Sequence, residues 1–498
     1  MAILEPIYAH DRERIAARVG TTLITYGRLT ADIDAMAHWL LGEGLNPGDR
    51  VTLHSQAVAN TAYWDWIMHL GAIRAGLAQS TGGMPPAVAA TGVIGPYAAA
   101  VGVLKGLAPN ANPARQLAFA PSSEAPLAEQ LTIKDKRKLD GLENQSVRLL
   151  STSGTTGRPK VVVWDAALFE ARLKQVREIG DITPDTMLLV LLGLITTTGL
   201  RYPIAAWQLG ATVLLSGFGN ETCDFEDLTA ASTFLATSPF RMQDVLTRAP
   251  GEWPGRERRL IELFGGRVAP LLREEVLKRC CSTLRMSYGA TEVGRVAAGE
   301  TTLVDRHDGA VGMVEPGITV EIVDAKGAKR RAGEPGIVRM KSDFMVGGYA
   351  GQNATGPRAT FRDGWFYPGD IGIVYEDGLF AITGRTSETL NLSGAKLSPL
   401  VLEERIAKLP EIQDVCVVAM QLDQGDMLTV AAVCAPGADI PALRKKLRPL
   451  LPKQFPFVFF HVQKIPRNAM GRIPRGAVAK NLAARVKQKQ AEAAKGKA

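Results

Sequence analysis

Apolar side chains recur along this chain at two spacings. Short runs of branched and aromatic residues predict strands at Leu23-Ile24-Thr25-Tyr26, Arg50 to His54, Val147 to Leu150, Val161 to Trp164, Met187 to Leu194 and Ala211 to Leu215. Further strands are predicted at Phe234 to Pro239, Leu260 to Phe264 and Leu284 to Ser287. Between them the spacing becomes helical, with Leu29, Ile33, Met36, Ala37, Leu40 and Leu41 on one face of a first helix. Other helices are expected over roughly Ala59 to Gly76, Ala166 to Ile179 and Arg201 to Leu209. This alternation predicts a layered α/β domain. Strand after strand ends in a small-residue turn carrying polar groups, and in open α/β sheets ligands gather at such carboxyl ends.

The rhythm changes beyond about Thr301. Short strands at Val320 to Val323, Gly336 to Met340, Ile371 to Tyr375 and Leu379 to Ile382, separated by Gly, Pro and Asp turns, predict a β-rich subdomain. After Gly384-Arg385-Thr386-Ser387 the chain restarts as a compact α+β unit, with a helix at Leu400 to Leu409 and strands at Val415 to Met420 and Leu428 to Val433. The expected architecture is therefore α/β. Residues 1–384 form a large N-terminal domain of layered subdomains plus the β-rich one, and residues 385–498 a small, mobile α+β domain. Its basic tail from about residue 486 is expected to be flexible.

Composition narrows the class. With 498 residues, 46% hydrophobic and 22% charged, the chain can bury a sizeable core and is ordinary for a globular protein. The first twenty residues carry charges throughout and lack the apolar centre of a signal peptide. The most apolar run, Met187 to Leu200, is too short for a membrane span. The five cysteines, Cys223, Cys280, Cys281, Cys416 and Cys434, show no metal spacing, and reduced thiols in a cytoplasm are expected. The net charge of +8 is concentrated at the C-terminal end, where Pro441 to Ala498 holds 15 Lys or Arg against the single acid Glu492. That surplus suits an anionic partner, such as coenzyme A phosphates or an acidic carrier protein. No aromatic–basic motif accompanies it, which sets nucleic acid aside.

The stretch richest in chemistry is Ser151-Thr152-Ser153-Gly154-Thr155-Thr156-Gly157-Arg158-Pro159-Lys160. Its glycines let backbone amides approach an anion closely, and its hydroxyls and lysine follow phosphate oxygens. A phosphate loop of the G-x-x-x-x-G-K-[ST] type needs a helix next, whereas here Lys160 follows Pro159 and a strand comes after it. A loop between two strands that grips a polyphosphate remains, beside the plainer reading of a Ser/Thr/Gly surface loop.

With Tyr288-Gly289-Ala290-Thr291-Glu292, Trp365-Phe366-Tyr367-Pro368-Gly369-Asp370, Gly384-Arg385 and Gly394-Ala395-Lys396 in the same order, the chain resembles the adenylate-forming enzymes. That superfamily includes acyl-CoA synthetases, aryl-CoA ligases, nonribosomal-peptide adenylation domains and luciferases. The likeness runs from Thr25 to Arg475. It implies that a carboxylic acid attacks the α-phosphorus of ATP, giving an acyl-adenylate, and that the thiol of coenzyme A then displaces AMP.

The resemblance also implies roles. Thr152, Ser153, Gly154, Thr155, Thr156, Gly157 and Lys160 would hold the β- and γ-phosphates, and Glu292 the Mg²⁺ that bridges them. Thr291 would donate to the α-phosphate. Tyr288, beside Gly289, would offer a face to adenine, with Gly266, Arg267 and Val268 on the other side. Asp370 would accept both ribose hydroxyls beside Arg385.

One position departs from the pattern. The family's catalytic lysine falls in Pro466-Arg467-Asn468-Ala469-Met470-Gly471-Arg472-Ile473-Pro474-Arg475, where this chain has Arg472. Arginine keeps the charge but is planar and forked, so a slower or altered adenylation step is expected. An adenylate-binding protein impaired in that step is an open alternative, as is transfer to a carrier protein's phosphopantetheine. The segment Leu194-Ile195-Thr196-Thr197-Thr198 lacks the acid that amino-acid-activating relatives carry, which implies an uncharged acyl or aryl acid. Leu194, Ile195, Thr197 and Val293 would line its pocket.

Overall fold

The computed structural model describes residues 3–53, 62–81, 92–95, 115–118, 121, 124–145, 147–152, 160–179, 181–218, 225–350, 360–392, 395–422, 425–467 and 473–495. The predicted runs of branched residues become the centre of a fifteen-stranded sheet. Thr212–Leu215, Met187–Val190, Phe234–Thr237, Leu260–Phe264 and Thr283–Ala290 lie side by side in that order, all parallel. Phe234–Thr237 is buried along its whole length, as a strand covered on both faces must be. Ile15–Val19, which the sequence reading did not find, adds parallel to Thr212–Leu215, and Thr22–Thr25 turns back along it.

The β-rich stretch joins the large domain by continuing its main sheet. Thr283–Ala290 pairs antiparallel with Gly294–Glu300, which continues through Ala310–Val314 to Leu379–Arg385 and Asp370–Val374 in the same sheet. The parallel edge offers unpaired amides and carbonyls, and this hairpin takes them up. The last strand of the sheet ends at Arg385, and the strands after it form sheets of their own.

A second sheet has six strands. Arg50–Leu53, Ala78–Thr81 and Val147–Thr152 are parallel neighbours, and Lys160–Trp164 returns antiparallel with Thr152 opposite Lys160. The Ser/Thr/Gly stretch is thus the connection of a hairpin, as the strand–loop–strand reading required. Residues Ser153, Gly154, Thr155, Thr156 and Gly157 themselves lie outside the described residues.

Helices Tyr26–Gly42, Tyr63–Arg74 and Thr197–Gln208 contribute to the largest core. Trp66 and Trp207 meet edge to face with centroids 5.1 Å apart, and the Tyr26 hydroxyl donates to the carbonyls of Trp207 and Ala211. The helix expected from Arg201 begins earlier, at Thr197, because the Thr196 side chain caps it by accepting from the Gly199 amide. Beyond Arg385, helix Pro399–Ala407 packs on a sheet of Ile412–Leu422, Gly425–Cys434 and Phe457–His461. The final helix, Arg475–Lys495, runs past the point where a flexible tail was expected; its Ala-, Lys- and Gln-rich sequence favours helix. Cys280, Cys281, Cys416 and Cys434 are free and buried, and Cys223 is outside the described residues. Among the described residues no helix is long and apolar enough to cross a membrane.

Inside the six-stranded sheet's packing lies a buried polar group. Arg148 donates to the Leu194 carbonyl at 2.7 Å and to Thr81 Oγ1 at 2.9 Å, and its Nη1 lies 3.3 Å from both His69 Nδ1 and Gln79 Oε1. Burial, reinforced by the Arg148 charge, drives the His69 imidazole down to about 3. His69 is therefore neutral in the folded state while the unfolded chain takes up its proton near pH 6.5. Stability is full above that pH and falls as the solution is acidified toward pH 3. Between pH 6.5 and 4.5 this one group removes about 2 kcal/mol. Denaturant titrations of wild type and His69→Gln at the two pH values should show the acid loss reduced by about that amount in the variant.

Candidate active site

The site is built where strand Thr283–Ala290 turns into Gly294–Glu300. A side chain at Gly289 would lie 2.5 Å from the Gly294 carbonyl oxygen, and Gly294 itself has φ +109°, so this tight turn needs glycine at both positions. Thr291 and Glu292 sit in it. Arg172, from helix Ala166–Ile179, holds the turn by donating to the Glu292 carbonyl at 2.9 Å, the Thr291 carbonyl at 3.4 Å and the Phe344 carbonyl at 2.7 Å. Burial and the neighbouring Arg201 charge lower its guanidinium well below the ordinary arginine value. Its other face lies over the Trp164 ring at 5.0 Å.

The Glu292 carboxylate is only 8% exposed, and its Oε1 accepts from the Tyr349 hydroxyl at 2.7 Å. Lys160, the end of the phosphate stretch, places its ammonium 4.6 Å from the centre of the same Tyr349 ring and donates to Thr360 Oγ1 at 3.3 Å. The lysine and the acid that the sequence nominated from two separate motifs thus meet on one side chain. Among the described residues no group of three His, Cys, Asp or Glu is arranged to hold a metal ion by itself. The single carboxylate of Glu292 offers the oxygen donors that a hard divalent cation such as Mg²⁺ would take, the remaining ligands coming from outside the protein.

Asp370 is 2% exposed and lies opposite Arg385 on the paired strands Asp370–Val374 and Leu379–Arg385. Its Oδ2 accepts from the Tyr288 hydroxyl at 2.5 Å, and Arg385 Nε lies 2.9 Å from Oδ1. Burial and the Asp370 carboxylate, with a lesser push from Glu292, raise the Tyr288 phenol well above its usual value. Tyr288, Asp370 and Glu292 therefore share one electrostatic neighbourhood. The Tyr288 ring stands edge-on to Phe380, with centroids 5.7 Å apart.

Other nominated residues take different places. Arg267 ion-pairs with Glu404 and donates to the Leu400 carbonyl at 2.8 Å, so its guanidinium docks helix Pro399–Ala407. Burial brings it down to about 10. Gly266 is exposed beside it, and Val268 is buried in the core beneath. Of the expected acyl-pocket wall, Ile195 is 58% exposed and Thr197 is half-buried. Leu194 and Val293 are instead core residues, at 1% and 0% exposure. Val293 packs with Val296, Phe366 and Phe380, because the tight turn folds its side chain inward. Arg472 and Gly394 lie outside the described residues. Arg172, Tyr349 and Thr360 were missed; a lone arginine on the buried face of Phe169, Leu173 and Val176 was the signal for the first.

Fold and site together define a mixed α/β protein whose polar groups converge beside the carboxyl ends of strands from two sheets. The family model for AMP-binding enzymes matches residues 7–350, well over half of the chain, and the chain belongs to that family. It is 24% identical to a probable CoA ligase of Humulus lupulus over 68% of this chain and 66% of that protein. To the mitochondrial malonate–CoA ligase of Homo sapiens it is 28% identical over 72% of this chain and 68% of that one. The chain thus spans about two thirds of the length of these relatives. ATP-bound MatB from Rhodopseudomonas palustris has the same fold, with a TM-score of 0.77 over 97% of this chain and 99% of that one at 21% identity.

If Asp370 holds a nucleotide's ribose, Asp370→Asn loses its charge toward Arg385 and the bound hydroxyls together. AMP affinity measured by calorimetry should then fall about tenfold or more.

Proposed function

We propose that this chain is an ATP-dependent acid–thiol ligase that activates a carboxylic acid as its acyl-adenylate and passes the acyl group to coenzyme A. The observation that carries the reading is the meeting of Lys160 and Glu292 across Tyr349, a cation and an anion set for the two ends of a magnesium polyphosphate. Family membership and the CoA-ligase names of its relatives support it.

In this scheme a carboxylate oxygen of the acid attacks the α-phosphorus, a P–O bond to the β-phosphate breaks, and pyrophosphate leaves. The thiol sulfur then attacks the acyl carbon, the thiol proton is lost, and AMP departs. Such transfers demand positioning and charge neutralisation more than covalent help. Thr152 to Lys160 would hold the β- and γ-phosphates and Thr291 the α-phosphate. Glu292 would carry Mg²⁺, which neutralises the leaving pyrophosphate. Tyr288, Asp370 and Arg385 would seat the nucleoside. Ile195 and Thr197, with no acid between Leu194 and Thr198, favour an uncharged fatty, other acyl or aryl chain.

Arg472 favours a second reading, an adenylate-binding protein weakened in the first step, because a forked guanidinium replaces the compact ammonium of the family. Pyrophosphate exchange with a panel of carboxylic acids, followed by addition of coenzyme A or an acyl carrier protein, separates the readings and the acceptors. Exchange is expected in wild type and should be abolished in Lys160→Ala. Arg472→Lys should raise it, up to about a hundredfold if the arginine has lost a full charge contact. Absence of exchange with every acid in both wild type and Arg472→Lys would refute the ligase.

A further inference from the structure

Lys160 lies on the six-stranded sheet and Glu292 in a turn of the fifteen-stranded one, so pairing within either sheet does not set the distance between them. Arg172, from the helix after Lys160–Trp164, grips the backbone of the Glu292 turn, and one short segment joins the two on the side-chain level. The Val346 amide donates to the Glu292 carbonyl at 2.9 Å, and the Ala350 amide donates to the Val161 carbonyl, next to Lys160, at 2.8 Å. Tyr349 lies between these two anchors. Its hydroxyl meets Glu292, its ring face meets the Lys160 ammonium, and its edge rests on Phe361 with centroids 5.2 Å apart.

A lysine and a glutamate that share one neighbour attract each other, and a direct ion pair would close the space between them. A tyrosine satisfies both while keeping them apart. Its negative ring face takes the cation, and its hydroxyl donates to the anion. Thr360 Oγ1 accepts from the lysine Nζ at 3.3 Å and also lies against the Tyr349 hydroxyl.

We propose that Tyr349 is a positioning residue that holds Lys160 and Glu292 apart and oriented for a magnesium polyphosphate, with Thr360 as its support. The proposal rests on the ligase reading and goes beyond it by assigning the spacing of the two charged groups to one side chain. It predicts a selective effect, because AMP lacks the β- and γ-phosphates and does not need that spacing.

Calorimetry with magnesium ATP and, separately, with AMP tests it on wild type, Tyr349→Phe, Tyr349→Leu and Thr360→Val. Tyr349→Phe should weaken magnesium ATP about tenfold, the loss expected for one hydrogen bond to a charged group, with AMP unchanged. Tyr349→Leu should weaken it further, since the lysine then falls onto the glutamate. The magnesium concentration giving half-maximal pyrophosphate exchange should rise in both. Equal weakening of AMP and ATP, or no weakening of ATP, would overturn the proposal. Where thermal melts show a Tyr349 variant unfolded, Thr360→Val decides: about threefold weaker magnesium ATP with AMP unchanged supports the assignment, and unchanged ATP rejects it. Wild type that binds AMP but no magnesium ATP would sink the ligase reading itself, and this assignment with it.

Discussion

A guanidinium kept from water and bonded to main-chain carbonyls underlies the geometry of the whole site. Arg172 has 0% exposure, and the acceptors it finds are the carbonyls of Thr291, Glu292 and Phe344. Removing a charge from water costs several kcal/mol unless it is well bonded. Moving the 291–292 turn would strip the cation of its acceptors, so the turn is held in place. Helix Ala166–Ile179 follows directly on strand Lys160–Trp164. The same covalent stretch that begins at Lys160 therefore also grips the turn carrying Glu292.

That arrangement makes the site a property of the junction between two sheets. Lys160 comes from the six-stranded sheet, while Tyr288, Asp370 and Arg385 come from the fifteen-stranded one. Two kinds of contact span the gap: Arg172 on the backbone of the turn, and the 346–350 segment with Tyr349 on the side chains. Polar groups are concentrated here although the surroundings are core. Most of their hydrogen-bonding atoms find partners in one another or in the main chain, as buried polar groups tend to, while Arg172 Nη1 does not.

The small C-terminal unit meets this junction through Arg267. The turn after Leu260–Phe264 was expected to face a nucleotide, yet its arginine is taken by Glu404 and the Leu400 carbonyl. The Gly309 amide, 3.3 Å from Glu404 Oε1, and Lys408, 3.1 Å from Asp308, extend the contact. Several of these partners are charged and partly exposed, so each contributes little alone.

Local sequence was sufficient for much of this. Branched residues at Phe234–Thr237 and Leu260–Phe264 dictate strands wherever they are placed, and the apolar spacing of Ala166–Ile179 dictates its helix. The ordered motifs, through the family resemblance they carry, nominated Lys160, Glu292, Asp370 and Arg385. What sequence could not supply was which side chains share a space. The continuation of the β-rich stretch into the main sheet depends on long-range edge pairing, and Val293 turned inward because of a glycine-tight turn. Arg267 was claimed by a helix more than a hundred residues away. Tyr349 and Arg172 carry no local sign of their partners, since a hydrogen bond across 57 or 120 residues exists only once two sheets have packed. Periodicity and residue chemistry are properties of neighbours in the chain; the distance between a lysine and a glutamate on different sheets is set by packing alone.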